Sequence, residues 1–124
     1  MPTDERTNEE LSAAIAERLF GLAIENGKRV GISDGWRYHF PVKPYASDHN
    51  AALGLVVPAM RKRGYRFEME DDWDFGDGKA MGVGIRFRTM KQARVEMTFT
   101  PFGQEPRAIC LAALAALDAE RKEE

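Results

Sequence analysis

Three stretches in the second half of the chain alternate apolar and polar residues with a period of two. Tyr65, Phe67 and Met69 interleave with Arg66, Glu68 and Glu70; Val83, Ile85 and Phe87 with Gly84, Arg86 and Arg88. Ala93, Val95, Met97 and Phe99 interleave with Arg94, Glu96, Thr98 and Thr100. A helix of 3.6 residues per turn would scatter those apolar side chains around its circumference, whereas a strand puts them all on one side. The pattern predicts a three-stranded antiparallel meander with one face on a core and one polar face. An acidic hairpin loop over 71–80 and a tight turn near Met90-Lys91 connect the strands.

The apolar face needs a cover, and three segments have helical spacing. Thr7-Asn8-Glu9-Glu10 reads as a capping box, in which the Thr7 hydroxyl accepts from the Glu10 amide and the Glu10 carboxylate reaches back. Leu11, Ile15, Leu19 and Leu22 follow, predicting a helix over 8–25 that stops near Asn26-Gly27. Ser47 or Asp48 caps a second helix with the stripe Leu53, Val56, Val57 and Met60, ended by Gly64; Pro58 inside it predicts a kink. Pro106 opens a last helix, about 105–121, whose buried stripe is Ile109, Cys110, Ala113, Leu114 and Leu117. Residues 27–46 have no clear period and read as a long ordered loop with a short strand around 36–40. The class is α+β: two N-terminal helices, the meander and a C-terminal helix, in one domain over 1–124.

Composition narrows the function classes. Eighteen basic against twenty acidic side chains give a net charge of −2, which offers duplex nucleic acid no clustered excess of cations. One cysteine excludes an internal disulfide, and the polar start and the lack of a long apolar run point to a cytoplasmic protein without a membrane span. Cys110 lies on an apolar helical stripe and is read as core filling. His39 and His49 have no third ligand at metal spacing. The acidic stretch Glu70 to Gly78 fails as a calcium loop, since counting from Asp72 puts Gly76 and Val83 where oxygen ligands are required. Gly82 and Gly84 fall inside a strand, which suggests a bulge and excludes a phosphate loop. No catalytic constellation, cofactor motif or metal site stands at any telling spacing.

Two features carry binding chemistry. The start of the last helix offers free amides and the positive dipole end, and Arg107 lies in that first turn with a guanidinium fork that fits phosphate. Trp36, Tyr38, Phe40 and Tyr45 offer stacking faces for a base. Arg88 completes the candidate set. Trp73 and Phe75 on the acidic loop suggest a contact surface of another kind.

Three blocks resemble the phage ABA-sandwich domain: Ala16-Glu17-Arg18-Leu19-Phe20-Gly21, Pro44-Tyr45-Ala46-Ser47-Asp48 with Ala51-Ala52, and Pro106-Arg107-Ala108-Ile109-Cys110-Leu111-Ala112-Ala113-Leu114. Leu22 and Leu111 depart from the family's usual Trp and Arg. The resemblance implies a sandwich with helices on both faces of a sheet, in a protein encoded by a phage. Small phage proteins of this build are similar to the Thoeris anti-defence sponges, which sequester cyclic nucleotide signals without cleaving them through arginines of a C-terminal helix. That likeness implies a homo-oligomer with Arg107 on phosphate. The rival expectation is an inhibitor that binds a host defence protein through the acidic aromatic loop.

Overall fold

The computed structural model describes residues 6–74, 79–91 and 97–123, with the backbone alone at 71–74, 79–81 and 121–123. Helix α1 spans Asn8–Arg18 and opens on the expected capping box: the Glu10 amide donates to the Thr7 hydroxyl at 3.1 Å, and the Thr7 amide to the Glu10 carboxylate at 3.2 Å. It stops seven residues earlier than the expected 25. Gly21, at φ +68°, takes a left-handed conformation, and the Leu22 amide turns back onto the Ala16 carbonyl at 3.0 Å.

The short strand expected around 36–40 is present, and two more strands over 24–33 replace the first part of the expected loop. Together they form a three-stranded antiparallel sheet of β1 (Ile24–Glu25), β2 (Lys28–Ser33) and β3 (Trp36–Phe40), in that order. Asn26-Gly27 is a hairpin turn and not a helix stop; its φ angles are 51° and 76°. Asp34-Gly35 repeats the device at 51° and 79°. Two consecutive positive φ angles are the requirement of a two-residue hairpin, and Asn-Gly and Asp-Gly meet it best.

Asp48 caps the next helix, its carboxylate accepting from the Asn50 and Ala51 amides at 2.8 and 3.2 Å. The helix is continuous but irregular: α2 (His49–Ala51), a π-helical turn (Ala52–Val56), then α3 (Val57–Lys62). The π turn directly precedes Pro58, where a proline without an amide cannot keep the regular ladder. The extra residue shifts the buried stripe to Ala52, Val56, Val57 and Met60, and Leu53, expected inside, is exposed.

The meander is present as β4 (Arg66–Asp74), β5 (Lys79–Arg88) and β6 (Thr98–Thr100), with β5 central. Strands β4 and β5 run into the expected 71–80 loop, Asp71 opposite Val83 and Asp74 opposite Lys79. The register shifts between Asp72 and Trp73, one residue from Gly82, where a bulge was expected. The glycines themselves answer to close approach. A Cβ on Gly82 would lie 2.2 Å from the Thr100 carbonyl oxygen, and one on Gly84 2.8 Å from the Phe99 ring. Phe99, expected inside, is opposite Gly84 and 58% exposed, while Thr98 and Thr100 are opposite the buried Ile85 and Val83. Residues 92–96 of the third alternating stretch lie outside the described residues.

Helix α4 (Glu105–Glu123) lies on β5 and β6, α1 packs on α4, and α3 on β4. Leu11, Ile15, Val56, Met60, Ile85, Phe87, Ile109 and Leu114 meet in one core. The other face of the second sheet carries Glu68 between Arg86 and Arg88, the polar face that the alternation required. Ser12 is the one buried polar side chain among the described residues, and its hydroxyl accepts from the Ala46 amide at 3.1 Å. Ser12→Ala leaves that amide without a partner inside the core. The expected loss is about 1 to 3 kcal/mol, read as a lower urea midpoint at unchanged slope.

Candidate functional site

The structure sends the candidate residues to three places. Trp36, Tyr38 and Phe40 lie on the short strand expected there; they alternate along β3 and share one face of the first sheet, 71%, 46% and 47% exposed. Tyr38 and Phe40 stand with ring centroids 6.3 Å apart. Gly31 lies under the Phe40 ring, where a Cβ would approach Cε2 to 2.8 Å. Trp36 sits at the hairpin tip, beside the Asp34-Gly35 turn.

Phe40 and Tyr45 come together in a cleft of about 490 Å³ between the end of α1, the first sheet and the 41–45 segment. Tyr45 forms its floor, stacked on Phe20 at 5.1 Å and 20°. Burial raises the Tyr45 pKa, and the Arg29 guanidinium partly opposes that rise. Arg29 and Lys43 line the same cleft, both exposed, and neither is ion-paired to a described carboxylate. No Asp, Glu, His, Ser or Cys is among the residues that line it. The cleft is therefore an apolar, aromatic slot rimmed by two cations, a setting that favours an anion with a flat ring.

Arg107 belongs to a separate cavity of about 390 Å³ with Asn8, Ser47, Gly103 and Gln104. A smaller apolar cavity of about 260 Å³ shares Asn8 and Ser47 with it, and Pro41 and Val42 with the aromatic cleft. The three line the 41–47 segment, with Arg107 and Phe40 in different ones. Arg107, expected to offer its guanidinium to phosphate, already has a protein partner. It is half-buried and donates to Asn8 Oδ1 at 2.9 Å, joining the starts of α4 and α1. The start of α4 already holds a carboxylate: Glu105 accepts from the Gly103 amide at 2.9 Å and from His49 Nε2 at 3.1 Å. Partial burial would raise the Glu105 pKa, but amides of Glu105 and Gly103 and the His49 ring outweigh it and hold it below the usual value. We therefore expect Arg107→Ala to act first on folding. It should cost about 1 kcal/mol, and Asn8→Ala should give a non-additive loss in a double-mutant cycle.

Arg88 stands on the polar face of the second sheet, where its Nε donates to Glu68. Arg86 donates to the other oxygen of the same carboxylate at 2.9 Å. Hydrogen bonding from Arg86 first, and from Arg88, holds the Glu68 pKa low against partial desolvation. Arg88 is thus placed apart from both the aromatics and Arg107. Trp73 and Phe75 of the rival site have side chains outside the described residues. Among the described residues no group of three metal-ligating side chains gathers, and no helix is long and apolar enough to cross a membrane.

Cys110 is fully buried on α4, and desolvation pushes its thiol up to about 12, with Arg107 pulling weakly the other way. The thiolate is the reactive form, so native Cys110 should resist a thiol reagent that labels the denatured chain within minutes. Labelling at equal rates in both states would contradict this placement. Cys110→Ser should cost about 1 to 3 kcal/mol.

The residues missed from the sequence are Phe20, Arg29 and Lys43. Phe20 has the faint signal of an aromatic at the end of an amphipathic helix. Arg29 and Lys43 look like ordinary surface cations until β2 and the 41–45 segment bring them to one cleft.

No family model matches the chain, and no curated protein matches it. Among solved structures it is similar to a phage protein from Bacillus cereus ATCC 14579, with a TM-score of 0.58 and 19% identity over 95% of this chain and 94% of that one. The molecule thus has an α+β fold shared along nearly its whole length with a phage protein.

Proposed function

We propose that this chain is a phage-encoded, homo-oligomeric binding protein that captures a cyclic-nucleotide-type immune signal in the Phe40–Tyr45 cleft without cleaving it. One observation carries the reading: an aromatic slot of about 490 Å³ whose polar rim is two cations, Arg29 and Lys43, that lack a described carboxylate partner. The Phe40 ring takes a base by stacking, and the cations take phosphate. The lining has Lys43 and Tyr45 but no carboxylate, histidine, serine or cysteine beside them, so no nucleophile stands paired with an activating base, which suits capture better than hydrolysis. The fold shared with a phage protein supports the origin.

The test is to express the protein in cells that produce cyclic dinucleotides and cyclic ADP-ribose, purify it, denature it and identify the released small molecules by mass spectrometry. The expected result is an intact cyclic nucleotide at close to one per site. Release of hydrolysed product alone makes the protein an enzyme. An empty protein that also binds neither compound in calorimetry ends this reading and favours the protein-binding inhibitor.

A further inference from the structure

We propose that two copies of this chain join through the outer edge of β3, paired antiparallel about a twofold axis at Tyr38. The interface rests on the homo-oligomer of the preceding reading but not on its ligand. Strand β3 is the last in its sheet, and among the described residues nothing pairs with its outer edge. Edges of this kind are usually blunted by proline, lysine or a bulge. Trp36–Phe40 contains no proline or lysine, its one charge, Arg37, is ion-paired to Glu25 at 2.7 Å, and its register with β2 is unbroken.

The register follows from the turn. Ser33 and Trp36 flank the two-residue Asp34-Gly35 hairpin, and such a flanking pair exchanges both backbone hydrogen bonds. Alternation then turns the amides and carbonyls of Trp36, Tyr38 and Phe40 towards β2, and those of Arg37 and His39 outward. A twofold axis at Tyr38 sets Arg37 opposite His39 of the partner subunit, so both outward pairs are satisfied at once. It also sets Tyr38 opposite Tyr38 of the partner subunit, and Trp36 opposite Phe40 of the partner subunit, all on one face. The three rings exposed in each copy then form one six-ring stripe.

This occupant is favoured over an unrelated strand because the twofold axis sets exposed ring opposite exposed ring at every position of one face, while on the other the Arg37 charge is already met by Glu25. Net charge of −2 per copy opposes association only weakly. Half-exposed rings contribute roughly 100 Å² each, so the strand pair buries well under the roughly 800 Å² per partner of a standard interface. The dimer is therefore weak on its own. It brings Trp36 of the partner subunit beside Phe40, at the rim of the cleft, so a ligand held there touches both copies and tightens the pair.

Oxidative cross-linking of full-length protein tests this without any ligand. Residues directly opposite in such a pair have Cα atoms about 4.5 Å apart for Tyr38 and its copy, within disulfide reach. Tyr38→Cys should give a covalent dimer at about 100 µM under mild oxidation. Trp36→Cys alone and Phe40→Cys alone should not, whereas the double variant Trp36→Cys/Phe40→Cys should. His39→Pro, which removes only an outward amide, should abolish the Tyr38→Cys cross-link while circular dichroism stays native. No cross-link at Tyr38→Cys, equal cross-linking by the Trp36→Cys single variant, or a cross-link that survives in a natively folded His39→Pro protein overturns the interface. Cyclic di-AMP added to the wild type should raise the dimer fraction in sedimentation. If the cysteine pattern holds and the nucleotide does not bind, the interface stands and the capture reading fails.

Discussion

Phe87→Ala is expected to remove about 3 to 5 kcal/mol of stability, more than the loss of any polar contact in the molecule. The ring is 1% exposed in the central strand, tilted against Phe67 at 5.3 Å, in the core that α4 closes. Alanine at this position loses the transfer free energy of the ring and leaves a cavity between two rigid layers that cannot close over it. A domain of this length has only about 5 to 15 kcal/mol in total, so the variant should lie near the edge of folding at 37 °C. Urea titration followed by circular dichroism reads the loss directly. Met69→Ala is the control: Met69 shares that face but is largely exposed, and its truncation should cost well under 1 kcal/mol. Similar losses at both positions would mean that the sheet does not have the burial gradient described.

The double variant Arg29→Ala/Lys43→Ala should lower affinity for cyclic di-AMP or cyclic ADP-ribose by at least a hundredfold, with folding unchanged. Each charge-assisted contact to phosphate is worth about 1.5 to 3 kcal/mol, or roughly ten- to a hundredfold. Both side chains are exposed and lack a described ion-pair partner, so their removal leaves nothing unsatisfied. Arg29→Lys should recover part of the loss, because an ammonium keeps the charge without the planar fork. Wild-type affinity should fall as salt rises, and the double variant should lose most of that dependence. Arg107→Ala separates the two cavities: it should lower stability and leave affinity nearly intact. If Arg107→Ala abolishes binding in a folded protein and the double variant does not, the ligand sits at the start of α4 instead.

Much of the architecture was legible because periodicity is a local property. The alternation at 65–69 and 83–87, the Thr7 capping box and the Ile109–Leu117 stripe each need only a few neighbouring residues to declare themselves. The first sheet was harder to see. Its strands are two to six residues long, and β3 is exposed at all five positions, so it shows no contrast of burial. Its true markers were Asn26-Gly27 and Asp34-Gly35, a helix stop and a loop until both are placed at the tips of one meander. Helix α1 reads too long from the sequence for the same reason, since Leu22 extends the period and only Gly21 breaks it.

The candidate site divided along the same line. Residue types alone marked the aromatics and Arg107 as chemically able, and their order determined that Trp36, Tyr38 and Phe40 would share a face if they formed a strand. Which cations stand beside which rings is a matter of distant chain segments. Arg29 reaches Tyr45 because two hairpins fold back beyond the end of α1, and Arg107 reaches Asn8 across 99 positions of sequence. The sequence by itself determined where α1 and α4 begin, the faces of β4 and β5 and the buried stripe of α4, since these depend on repeat periods and caps within one segment. Tertiary structure alone decided the phase of β6, the shift at the π turn and the partners of every cation, because those are set by which surfaces meet.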